Sequence, residues 1–453
     1  MKHKLAIAWI TVLIALLCVF GFAACDDAGG NSSNGENSEQ QISATEGLTY
    51  TLINNGTEYE VSGIGTATDT DIIIRSEYQG LPVTGIGNAA FFGCSELINI
   101  TIPDGVTRIG NNAFSDCSAL TGVTIPNSII SIGEAAFEDC DSLINVEIPD
   151  KVTDIAARTF SRCYKLTDVI IGNNVKSIGG CAFESCSALK NITIPNSVTN
   201  IGESAFHWCG ELVRITFPNS VVSIGDTAFA FCSKLTDVTI GSGVISIGRA
   251  AFNGCSSLSN LLVANDNSVY HSVDNCLIET ESKTLILGCK NSVIPADGSV
   301  INIGQLAFSS CSGLLSITIP SCIINIEDGA FSGSSSLTSV KIPNGISYID
   351  EALFSGCSSL FSILVPNSVI EIKSGAFMEC NRLMSVYYCG TAEEWEMIDI
   401  DNQNLWNRAL FSATIYYYSE SDPFEGEGAV TEGNYWHYAD DGETIVVWTK
   451  ETL

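Results

Sequence analysis

One pattern, Ile-Gly-x-x-Ala-Phe-x-x-Cys-x-x-Leu-x-x-Val-x-Ile-Pro-Asn-Ser-Val, returns at a fixed interval through most of the chain. Its first Ile falls at Ile86, Ile109, Ile132, Ile155, Ile178, Ile201, Ile224 and Ile247, and after an insertion at Ile303, Ile326, Ile349 and Ile372. The Phe five residues on, Phe91 to Phe377, and the Leu eleven on, Leu97 to Leu383, are present in all twelve copies. Self-similarity at such a period is the signature of a repeat architecture. A prior of roughly 150 residues per domain would divide 453 residues into about three domains, and the repeat overrides it.

The spacing inside one copy predicts its local structure. In Leu120-x-x-Val123-x-Ile125 the last two apolar residues alternate as in a half-buried strand, and Pro126 removes a ladder donor and ends it. In Glu134 to Cys140 the Ala, Phe and Cys fall near helical spacing, which predicts one helical turn too short to stand alone. No copy buries its Ile, Phe, Leu and Val by itself. Copies must therefore stack, with in-register parallel strands and one continuous core. At about 4.8 Å per turn, twelve turns make a rod on the order of 60 Å.

The Leu-x-x-Val-x-Ile segment resembles the strand of leucine-rich repeats, and the 23-residue unit resembles the BspA-like class of bacterial surface leucine-rich-repeat proteins, over Ile86 to about Trp395. The resemblance implies an α/β repeat solenoid: a right-handed leucine-rich-repeat superhelix with one short parallel strand and one helical turn per repeat, capped by β-hairpins. It also implies extracellular recognition without catalysis. On this reading residues 86–264 hold repeats 1–8, 265–302 an insertion hairpin, and 303–394 repeats 9–12. Residues 45–85 form an N-terminal β cap, 395–419 a C-terminal cap, and 420–453 an acidic linker with an aromatic hairpin. Trp395 and Trp406 are the expected closing residues of the C-terminal cap. Phe361, Leu364, Met384 and Tyr387 make the strand face more apolar toward that end, as a contact patch or as surface beneath the cap.

Residues 1–24 read as an export signal: Lys2, His3 and Lys4 precede an uncharged apolar run from Leu5 to Phe22. Phe22-Ala23-Ala24-Cys25 resembles a bacterial lipoprotein signal, in which Cys25 would be lipidated, although Phe22 stands where Leu is usual. The rival reading is an uncleaved membrane helix, since 18 apolar residues reach the lower limit for a span. Either way a membrane is the expected anchor. Residues 25–44, rich in Gly, Asn, Ser and Glu, form a tether. Removing Lys2 and Lys4 leaves 18 basic against 51 acidic residues, a net near −33, and such a chain is a poor partner for nucleic acid.

Eleven of the 18 Cys occupy the ninth repeat position, from Cys94 to Cys380, and Ser334 fills it in the remaining copy. They read as buried small hydrophobes rather than bridges. Cys276 and Cys289 bracket the hairpin Leu277 to Gly288 and form a candidate disulfide, a pairing that sequence does not decide. His3, His207, His271 and His437 are far apart, Asp399-x-Asp401 and Asp440-Asp441-Gly442-Glu443 read as turns, and no nucleophile motif occurs. No catalytic residue, metal or cofactor is expected.

The outward-facing strand positions supply the candidate ligand surface: Asn99, Thr101, Thr124, Asn145, Asp168, Asn191, Thr193, Arg214, Thr216, Asp237 and Thr239. These short polar side chains suit a hydrogen-bonding platform for an extracellular protein or glycan, and Thr equally suits any exposed strand. The insertion, 265–302, is a second candidate surface or a hairpin that extends the sheet. The aromatic residues around Trp436 offer a glycan-stacking surface or packing for the cap.

Overall fold

The computed structural model describes residues 43–401, 405–425, 429, 430 and 432–449; the expected signal, Cys25 and nearly all of the tether lie outside them. The repeats form a β solenoid in which each copy is one coil. Two strand ladders run along it rather than the expected one. The Val-x-Ile strands pair in parallel from Asp71–Ile73 through Asn99–Thr101, Gly122–Thr124, Asn145–Glu147 and Asp168–Ile170. A second ladder joins the first Ile of successive copies, as in Ile155 to Ile178, Ile201, Ile224 and Ile247.

The predicted helical turn is absent, and the hydrogen bonds say why. In the coil starting at Ile109, the N–H groups of Asn112, Phe114 and Asp116 donate forward to Glu134, Ala136 and Glu138 carbonyls of the next coil, at 2.9, 2.8 and 2.8 Å. Only the intervening Ala113, Ser115 and Cys117 donate locally, each three residues back. An α-helix would consume every N–H within itself; here every second donor is spent on the neighbouring coil. To aim them there the chain takes left-handed φ at two positions of each copy, such as Asn112 (φ 53) and Asp116 (φ 60). Among the described residues α-helix is confined to the C-terminal cap, at Ala392–Glu396 and Arg408–Ser412.

Inside the coils the repeated Phe rings stack. Centroids from Phe91 through Phe252 lie 5.0 to 5.5 Å apart with interplanar angles of 5 to 13°. A second stack runs from Phe308 to Phe377. The core is thus two bodies of buried residues, not the continuous one expected. The insertion divides them. Its strands Tyr270–Val273, Cys276–Glu279 and Thr284–Leu287 pair antiparallel, and the last pairs in parallel with Asn302–Ile303. Side chains alternate across a strand, so Leu277 joins the first core while Cys276 and Ile278 join the second. Gly288 lies so close to Phe308 that a Cβ there would sit 2.0 Å from its ring.

The ninth-position thiols have a bonding role beyond filling space. From Cys117 to Cys255 each Sγ donates to the carbonyl of the Phe in the preceding copy, at 3.1 to 3.3 Å, as Cys117 does to Phe91. Ser334 Oγ makes the same bond to Phe308 at 2.8 Å, which explains why a hydroxyl substitutes. Every described Cys is free, including Cys276 and Cys289. Burial raises the ladder thiols' pKa, to about 12 for Cys117 and Cys380 and well above the usual 9.0 for Cys163 and Cys186.

Both ends are closed. At the N-terminus Thr49–Ile53 pairs antiparallel with Glu58–Gly63, and Tyr50 stacks on Tyr78 at 4.2 Å. At the C-terminus Trp436 is fully buried and its indole N–H donates to Tyr388 carbonyl at 2.9 Å. Trp395 packs edge-on against Tyr388, whereas the other expected closing residue, Trp406, is exposed. Asn407 completes the seal: its Oδ1 accepts from Phe377 N–H at 3.0 Å and its amide donates to Lys373 and Asp401 carbonyls.

Two outcomes follow for stability. Phe183→Ala removes a fully buried ring from the middle of a stack and will cost about 3 to 5 kcal/mol in urea unfolding. The thiols bind protons in the folded state that the unfolded chain releases above about pH 9, so stability will fall as pH rises from about 9 toward 12. Replacing ladder Cys by Ser will flatten that fall in denaturant titrations run across this range.

Candidate recognition surface

Along the first ladder the strand residues either side of each buried Val or Ile point outward. Their register is strict: Asn99 is opposite Gly122, Thr101 opposite Thr124, and Asn145 opposite Asp168. Farther along, Arg214 faces Asp237, and Thr216 faces Thr239. Nine of the eleven candidate residues are exposed; Asp237 and Thr239 are half-buried. Asn191 and Thr193 depart from the expectation, since their segment carries no strand and the ladder pauses between Asp168–Ile170 and Arg214–Thr216. Ile192 and Ile194 stay buried there, and the coil remains bonded to its neighbours through the second ladder and the turn, as in Ile178 to Ile201 and Phe183 N–H to Ala205 carbonyl.

Much of this face bonds to itself. Asn99 donates to Asp71 at 2.6 Å, and Asn260 donates to Asp237 at 2.8 Å. Hydrogen bonds from Thr236 and then Asn260 hold the Asp237 carboxyl below the usual carboxylate range. Arg214 makes no ion pair among the described residues, leaving its guanidinium available on a carboxylate-rich surface. Exposed Ile170 and Leu262 interrupt the polar rows, giving the platform apolar contact points as well.

A second surface, at His207 and Trp208, lies outside the positions that the sequence pattern singled out. Trp208 stacks on Phe231 with centroids 4.5 Å apart and planes 8° from parallel, and His207 meets both rings edge-on. Trp208 is 51% exposed. Trp208 and Phe231 both sit at the eighth repeat position with φ of 62 and 60, a backbone region that bulky side chains rarely adopt. Other copies place Gly93, Asp116, Ser185 or Gly254 there. The signal was in the sequence: Trp208 and Phe231 are one repeat period apart, hence neighbours on adjacent coils.

The other candidates resolve simply. Phe361 and Met384 are exposed, while Leu364 is buried and Tyr387 stacks on Tyr416 beneath the cap. Trp436, within the aromatic group considered for glycan stacking, offers no surface because it is buried. Asp441 is a turn residue: hydrogen bonds from Thr444 and Glu443 lower its pKa to about 2. Among the described residues no group of three or more His, Cys, Asp or Glu is placed to hold a metal ion. No described helix is long and apolar enough to cross a membrane.

A stack of short parallel strands with Leu, Ile and Phe repeated on its inner side defines a leucine-rich-repeat solenoid. The chain belongs to the BspA type leucine rich repeat family, whose model matches six copies over residues 81–190, 153–283 and 286–402. It is similar to the crystal structure of a leucine rich cell surface protein from Faecalibacterium prausnitzii, 29% identical with a TM-score of 0.57, over 83% of this chain and 99% of that one. A leucine-rich repeat protein from Bacteroides ovatus is 23% identical, with a TM-score of 0.49 over 83% of this chain and 99% of that one. No curated protein matches the chain.

Trp208→Gly removes a side chain from left-handed backbone, which costs about 1–2 kcal/mol, and a ring stack that contributes about 0.5–1.5 kcal/mol, so the two proteins will differ in stability by less than about 1 kcal/mol, where a bulky core truncation costs about 3 to 5. Urea midpoints of the two proteins check this.

Proposed function

We propose that this chain is an exported, lipid-anchored cell-surface protein that mediates adhesion or protein recognition through its solenoid face, without catalysis. The observation that carries the reading is the polar face from Asn99 to Thr239, in strict register on both sides of the pause at Asn191 and interrupted by exposed Ile170. Such a face offers many hydrogen-bonding groups at a fixed repeat, a geometry suited to an extended protein partner. The family, and the similarity to a cell surface protein of Faecalibacterium prausnitzii, support the location. The alternative is an envelope spacer or polysaccharide-capturing lipoprotein. Its support is the exposed Trp208 ring, since aromatic faces stack on sugar rings.

Panels of extracellular matrix proteins and of glycans separate these readings. A protein signal weakened about tenfold or more by combined Asp168→Ala, Arg214→Ala and Asp237→Ala supports recognition through the strand face. A glycan signal lost in Trp208→Ala supports the alternative, and silence on both panels favours the spacer. Anchoring is tested separately: Cys25→Ser will move the chain from the detergent-extracted membrane fraction to the soluble fraction, and unchanged membrane partition would contradict lipidation.

A further inference from the structure

Among the described residues the forward bonds from the turn N–H groups stop at one internal place. The N–H groups of Thr227, Phe229 and Phe231 donate to Arg249, Ala251 and Asn253 carbonyls at 3.0, 2.8 and 2.7 Å. One coil further on, the equivalent donors are Ala250, Phe252 and Gly254, and none of them has an acceptor among the described residues. The chain leaves for the insertion here instead of laying down the next coil. When it returns, Gly304 and Gln305 stand across a cleft of about 240 Å³ whose near wall includes Ala250 and Phe252. At the C-terminal end of the rod the donor equivalent to Phe252, Phe377 N–H, is taken by Asn407. The internal edge has no such cap.

Three further features give the cleft a chemistry. Its lining is largely hydrocarbon, from residues such as Leu277, Ile286 and Leu287. Arg249 stands at its wall, exposed and without an ion pair among the described residues, in a chain with 51 acidic and 20 basic side chains. Asn253 also lines it, with a buried Oδ1 that accepts nothing. Unpaired N–H groups beside a guanidinium call for an anion with acceptor lone pairs. A buried orphan acceptor calls for a donor in the same ligand. A fatty acid supplies the first and not the second; the last residue of a peptide supplies both, with its carboxylate and its own N–H. The cleft is smaller than the roughly 300–1,000 Å³ of whole-ligand pockets, which suits one terminal side chain.

We propose that this cleft captures the C-terminus of a peptide or protein: the carboxylate on Ala250 and Phe252 N–H under Arg249, and an apolar last side chain within the hydrocarbon lining. The site is separate from the strand face, so its fate does not depend on that reading. Backbone capture of a chain end is an established recognition mode, and here the edge left open by the displaced coil supplies it.

The test is fluorescence polarisation of the full-length chain in detergent with a labelled Gly-Ser-Gly-Ser-Ala-Leu peptide, as free acid and as C-terminal amide. The free acid will bind, and the amide will bind at least about tenfold more weakly, since a hydrogen-bonded charge is removed. Changing the last Leu to Asp will abolish binding. Arg249→Gln will weaken the free acid about tenfold, whereas Trp208→Ala will leave it unchanged. Equal affinity for acid and amide overturns the proposal. So does an absence of peptide binding at about 1 mM, a free energy of only about −4 kcal/mol, and so does binding of dodecanoate without binding of peptide. The acid and amide comparison uses the unaltered protein and stands whether or not the Arg249 variant folds.

Discussion

Every part of this rod depends on the backbone hydrogen bond from one coil to the next. A single copy cannot bury its own apolar face, and its turn keeps only half of its N–H groups for itself. The other half, such as Phe114 to Ala136 at 2.8 Å, reach forward. That commitment places the Phe rings 5.0 to 5.5 Å apart through the first stack and brings each thiol from Cys117 to Cys255 within reach of the preceding Phe carbonyl. It also imposes left-handed backbone on residues such as Thr227, Trp208 and Phe231. The strain is local and the ladder is collective, so the ladder prevails.

The same interaction explains what happens at the ends and at the insertion. A rod held by forward-pointing donors must finish by satisfying them. At the C-terminus Asn407 takes the central one, Phe377 N–H, with one fully buried side chain that bridges three backbone groups. At the insertion the alternation of Cys276, Leu277 and Ile278 lets one strand serve two cores, yet the turn edge at Phe252 is left open. The chain thus contains one closed end and one internal opening made from the same element.

Strict register made most of the architecture readable from the residues alone. Phe, Leu and Cys at fixed offsets announced a stacked core. The helical turn was misread because Ala136, Phe137 and Cys140 have spacing that serves a helix and a chain of tight turns equally; only the destination of the N–H groups separates them. The division of the core was hidden because it depends on which face of Cys276–Glu279 each side chain takes. For the surface, the polar rows could be named residue by residue, but the pause at Asn191 could not. The Trp208 and Phe231 pair lay in view, one period apart at the eighth repeat position. Trp436 rather than Trp406 closes the cap because the chain beyond Ser419 folds back onto Tyr388, a long-range contact that no local pattern encodes.

The central claim, that forward backbone bonds hold the coils together, is tested most directly by amide hydrogen exchange resolved to single residues. Phe229 and Phe252 have almost equally buried rings, yet only Phe229 N–H has an acceptor on the next coil. Without added peptide, Phe229 will exchange only on unfolding of the first core, and Phe252 will exchange far faster. Equal protection at the two amides would contradict the account, because packing of the rings alone would then suffice to hold the coils.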